Sequence, residues 1–101
     1  MSEEAILVYV DPDLEDLIPG FFQNRQKDVQ RLSEALEQGD FEAIRIIGHS
    51  MKGAGGGYGF DRVTDLGAII EEGAKAQDRE RIREAVAELA DYMSRVEVVY
   101  E

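Results

Sequence analysis

Apolar residues recur along most of this chain at helical spacing. Ile82, Val86, Leu89, Met93, Val96 and Tyr100 follow 4-3-4-3-4 intervals, which predicts one stripe on a long final helix. An earlier stripe runs through Phe22, Val29, Leu32 and Leu36. Gln38-Gly39-Asp40 then reads as a helix stop followed by a new N-cap. Phe41, Ile44, Ile47, Met51, Ala54 and Tyr58 form the next stripe, which Gly59 ends. Asp61 is placed to cap a further helix containing Val63, Leu66, Ile70 and Ala74, and Gln77-Asp78 separates that helix from the last. Both prolines, Pro12 and Pro19, lie in the first fifth of the chain, so everything after them is free to be helical. Asp11-Pro12-Asp13 starts a short helix through Leu14, Leu17 and Ile18, and Ile6 to Val10 reads as extended or as a packed apolar arm.

Four amphipathic segments with short connections predict an all-α fold, an antiparallel up-down four-helix bundle with a short extra N-terminal helix or arm. The expected organisation is one domain over 1–101, with an arm over 1–13 and the bundle over 14–101. No helix of this kind hides its apolar face alone, so stability must come from the bundle core.

Composition narrows the function. At 101 residues, 44% of them hydrophobic, the chain has enough sequence for one core and argues against disorder. Its net charge of −11 makes nucleic acid and anionic membrane poor partners. Cysteine is absent, which removes disulfides, thiol chemistry and cysteine-ligated metals. No basic segment precedes the short apolar run near the N-terminus, and no apolar run is long enough to span a membrane. The expectation is an intracellular, cytoplasmic, soluble domain.

The one histidine, His49, sits inside the third stripe's helix. At ~100° per residue, Ile47, Met51, Gly55 and Tyr58 fall within roughly 60° of Ile44, whereas His49 falls roughly 140° away. The imidazole is therefore expected in solvent, as an ordinary surface histidine or a reactive one. Arg45 at i−4, Lys52 at i+3, Gly53 at i+4 and Gly56 at i+7 share or border its face. Ile46 is also outward, and an exposed aliphatic beside an exposed histidine suggests a docking patch. Ala43 to Phe60 contains no Asp or Glu, so Arg45 and Lys52 give that stretch +2 and leave −13 for the rest. Either this is a positive island where an anion settles, or a glycine-rich, tightly packed helix simply has few charged positions.

Gly53, Gly55, Gly56 and Gly57 each cost a helix roughly 0.5–1 kcal/mol relative to alanine. Gly55, on the core side, lets a neighbouring helix come close. Gly53 and Gly56 keep His49 uncovered for a bulky partner. A nucleotide loop does not fit, because Lys52 precedes the glycines, no Gly-Lys-Ser/Thr follows, and no G-x-G-x-x-G register matches.

His49-Ser50-Met51-Lys52-Gly53, then Gly59-Phe60, then Leu66-Gly67, resembles the histidine-containing phosphotransfer (HPt) domains of bacterial phosphorelays. The resemblance runs from about Leu14 to the C-terminus in helix order as well as motif. Where some members place a polar amide near the imidazole, this chain offers Glu71 and Glu72. The resemblance implies a phosphoryl carrier, with no nucleotide site and no independent catalytic turnover. It takes a phosphoryl group from the aspartyl phosphate of a receiver domain, in a response regulator or hybrid kinase, and passes it to another receiver. Magnesium and the in-line aspartate come from that partner, and no cofactor or metal is expected on this chain.

The residues suit that role. A neutral imidazole is a competent nucleophile near pH 7. Lys52 is the expected principal stabiliser of the phosphoryl oxygens, with Arg45 a weaker candidate that has Glu42 as an alternative partner at i−3. Tyr58 falls on the core face and is read as packing. Glu34-Glu37 and Glu71-Glu72 are read as solvated helix faces. The competing classes are an adaptor bundle that binds receivers or kinases without carrying phosphate, and a metal hydrolase, which one histidine and no cysteine disfavour. The chain is expected to be monomeric.

Overall fold

The computed structural model describes residues 4–101. The first three residues of the expected arm, 1–3, lie outside the described residues. The element order is β1 (Ile6–Val10), a six-residue 3-10 helix (Pro12–Leu17), α1 (Ile18–Gln38), α2 (Phe41–Tyr58), α3 (Asp61–Lys75), α4 (Arg79–Arg95) and β2 (Val96–Tyr100).

Helix boundaries follow local chemistry. Gly39 and Gly59 end α1 and α2 in the left-handed region, at φ 69° and 88°, where L side chains are strained. Asp40 caps α2 by accepting from the Ala43 amide at 3.1 Å, and Asp78 caps α4 through the Arg81 amide at 3.1 Å. The start of α3 differs from expectation. Phe60 holds the N-cap position without a side-chain bond, and Asp61 is the first helical residue. The Phe60 ring is buried, so the chain entering α3 is fixed by packing instead of by an acidic cap.

Each helix packs on the next, and α4 closes the ring against α1. Leu32, Ile44, Met51, Phe60, Val63, Leu66, Ile70, Ile82 and Leu89 are fully buried, so all four expected stripes reach one core. The α1 stripe is rotated from the expected one. Phe21 is buried and stacks on Phe60 at 4.6 Å between ring centroids, while Phe22 and Val29 are half-buried. The rotation also buries Arg25 and Asp28, which pair at 2.8 Å, with the guanidinium 4.9 Å from the Phe21 ring. Burial pushes the Asp28 carboxyl up, and the Arg25 charge partly offsets it. The Tyr58 ring packs on Phe21 at 5.0 Å, in line with its core-side reading.

Ile6–Val10 is a strand, in line with its extended reading, whereas the all-α expectation fails at Val96–Tyr100, which the apolar spacing assigns to the final helix. The final helix stops at Arg95, and Val96–Tyr100 pairs in parallel with Ile6–Val10, Ile6 opposite Val96 and Val10 opposite Tyr100. Val96, Val98 and Val99 favour extended backbone, and Val96 and Tyr100 satisfy a helical interval without requiring a helix. The Glu101 amide donates to the Val10 carbonyl at 3.2 Å, and Arg95 Nε donates to the Glu4 carbonyl at 2.9 Å. No helix among the described residues is long and apolar enough to cross a membrane.

Candidate functional site

The site is built where α2 and α3 come together. An ideal Cβ on Gly67 would lie 2.5 Å from the Lys52 amide nitrogen and 2.8 Å from the Gly48 carbonyl oxygen. One on Gly48 would lie 2.8 Å from the Glu71 nitrogen, and one on Gly55 2.6 Å from the Thr64 nitrogen. Glycine at these positions lets the two backbones touch. Gly55 was legible as a close-approach residue, but Gly48 was not. Thr64 Oγ1 adds a bond to the Lys52 carbonyl at 3.1 Å.

This close packing carries Glu71 beneath the imidazole. The His49 side chain is 67% exposed, whereas that of Glu71 is 7% exposed. Glu71 Oε2 is 3.0 Å from His49 Nδ1, and Glu71 Oε1 is 2.9 Å from Lys52 Nζ. Glu71 is thus not the solvated residue expected of it. Gly67 and Glu71 are one turn apart on the side of α3 that meets α2, and that i, i+4 pair is the sequence signal that would have placed it. Glu72 does remain exposed, 3.4 Å from Lys75.

The bond to Lys52 holds the Glu71 carboxyl below the usual carboxylate range, and the bond to His49 adds to this while burial opposes it. An ionised carboxylate only accepts hydrogen bonds. Nδ1 must therefore carry the ring proton and donate it to Glu71. In the neutral ring this places the lone pair on Nε2, on an exposed side chain.

The positive island is compensated from outside its own stretch. Lys52 pairs with Glu71 across the helix interface, and Arg45 pairs with Glu42 through two bonds of 3.1 and 2.8 Å. Glu42 is visible at i−3 on the same helix, but a count of charge along one helix misses Glu71, which the adjacent helix supplies. Ile46 is 52% exposed. Gly53 is exposed, and a Cβ there would meet nothing within 4 Å. Gly56 is exposed too, and its Cβ would make only ordinary contact with Thr64 Oγ1 at 3.6 Å. Neither glycine is required by packing within this chain. Among the described residues, no group of three or more His, Cys, Asp or Glu side chains is placed to hold a metal.

A family model, that of the Hpt domain, matches residues 16–98. The chain belongs to the Hpt domain family. No curated protein and no solved structure gives a significant match. Hpt domains are phosphocarrier modules that serve histidine phosphotransfer and meet receiver domains in phosphorelays. In this Hpt domain β1 lies wholly outside the matched span, and α1 to α4 lie within it.

Glu71 ties the site to acidity. Its carboxyl has a folded-state pKa below the unfolded value, so the stability it contributes is present above about pH 4.3 and is lost as pH falls through the folded value. Glu71→Gln should therefore be less stable than the wild-type Hpt domain near neutrality, with the gap narrowing in acid. Urea unfolding of both proteins at about pH 7 and about pH 3 checks this. A gap that stays constant between the two would remove the ion pair from the account.

Proposed function

We propose that this Hpt domain accepts a phosphoryl group on His49 from a receiver's aspartyl phosphate and passes it to a second receiver. The observation that carries the reading is the exposed imidazole whose Nδ1–H is engaged by a buried carboxylate, with Nε2 free. In the transfer, the Nε2 lone pair forms the N–P bond as the P–O bond to the receiver's aspartate breaks. The bonding pair leaves with that carboxylate. Nδ1 keeps its proton, and the positive charge that the ring acquires faces Glu71.

Lys52 brings positive charge beside the imidazole, and the bare faces of Gly53 and Gly56 leave room for the receiver's surface. The one carboxylate at the ring, Glu71, is engaged by His49 and Lys52, so Mg2+ and the in-line aspartate belong on the receiver. The two- and three-residue links between helices and their closed ring of contacts support an antiparallel up-down bundle. The domain acts as one unit over 1–101, as a cytoplasmic monomer. Incubating it with phosphorylated receivers and mapping acid-labile phosphate tests the reading, with the label expected on His49.

Ile46 places an apolar contact beside the reacting atom. Ile46→Asp should weaken receiver binding about tenfold or more, because it buries a carboxylate against the partner. Titration calorimetry measures the change, and unaltered affinity would take Ile46 out of the docking surface.

A further inference from the structure

The two cations beside His49 are not equally free to meet a phosphoryl group. Lys52 is held by Glu71, a buried carboxylate that also bonds the imidazole, so moving the ammonium outward strips a buried charge of its partner. Arg45 is held by Glu42, whose side chain is 68% exposed, and water replaces that partner at little cost. Side chains on a helix lean toward its N-terminus, so the His49 ring leans over the turn that carries Arg45, at i−4, while Arg45 leans away toward Glu42 and must turn back to meet the ring. A guanidinium also offers two parallel N–H donors, which match two phosphoryl oxygens as they now match the two oxygens of Glu42.

We infer that Arg45 exchanges Glu42 for the phosphoryl group on His49 and is its mobile cationic ligand, while Lys52 stays with Glu71. The inference rests on His49 being the acceptor and assigns a contact for that same site. In the resting state Glu42 occupies the fork. As the N–P bond forms, the fork turns to the incoming oxygens and Glu42 is released to solvent. Glu42 is thus a built-in competitor of the phosphoryl group.

Phosphoramidate, a donor too small to need the docking surface, tests this on the whole protein. Phosphorylation of His49 is followed by 31P NMR, with circular dichroism confirming the fold of each variant. Arg45→Ala should be about tenfold slower than wild type, Arg45→Lys intermediate because it keeps the charge and loses the fork, and Glu42→Gln about twofold faster because the competitor is gone. Equal rates in wild type, Arg45→Ala and Glu42→Gln overturn the exchange. Slow Arg45→Ala beside unchanged Glu42→Gln overturns the competition. A wild-type protein that takes no phosphate on His49 from phosphoramidate or from any receiver removes the underlying reading, and this inference with it.

Discussion

His49→Gln should take up no acid-labile phosphate from any phosphorylated receiver while keeping the helicity and thermal midpoint of the wild type. The reasons are local. The side chain is two-thirds exposed, so losing the ring removes little from the core. Glutamine fits the helix and still offers an N–H to Glu71, yet it has no nitrogen lone pair able to form an N–P bond. Loss is expected to be complete, since this chain has no second imidazole and no thiol. The same variant separates a carrier from an adaptor. If receivers bind His49→Gln and wild type equally, and wild type never becomes labelled, the chain is an adaptor and the phosphotransfer reading falls.

The second large effect is expected at Gly67. Two opposing terms act on Gly67→Ala. Alanine favours a helix over glycine by about 1 kcal/mol. Against this, the added methyl would sit 2.5 Å from the Lys52 nitrogen and 3.0 Å from the Lys52 Cα, both backbone atoms that no rotamer change removes. Overpacking of this kind costs about 1–3 kcal/mol, so the steric term wins. Each kcal/mol lost lowers the melting temperature of a domain this size by about 4–8 °C. Forcing α2 from α3 also pulls Glu71 away from His49 and Lys52, so phosphotransfer should fall along with stability. Gly53→Ala is the control. Its methyl enters open space, so only the propensity term remains and the protein should gain stability, by up to about 1 kcal/mol. Thermal melts of the two variants give opposite signs. Two equal shifts would mean that the helix contact is looser than described.

Much of this was legible from spacing alone. The turns at Gly39 and Gly59 and the acidic cap at Asp40 announce themselves, whereas Asp78 reads only as a separator and Asp61 as a cap that it is not. The outward direction of His49, Ile46 and Gly53 follows from helix geometry, because the core face of α2 is marked by Ile44, Ile47 and Met51. Two features were hidden for physical reasons. Glu71 carries charge, and a charged residue reads as solvent-facing unless its partners on another helix are known. The second strand and its pairing were hidden because Val96 and Tyr100 continue the helical interval of the stripe before them, and the partner strand lies 90 positions away.

The same pairing bears on how the chain assembles. Each rung of the β1–β2 ladder joins residues 90 positions apart, from Ile6 with Val96 to Val10 with Tyr100. During synthesis β1 emerges first and must wait, unzipped, until the last helix has left the ribosome. The helical pairs between them are local and quick to form, whereas closing a loop of that length draws on chain entropy that only a nearly finished bundle has already spent. The ladder is therefore expected to act as a final clasp, made after the surface around His49 has formed.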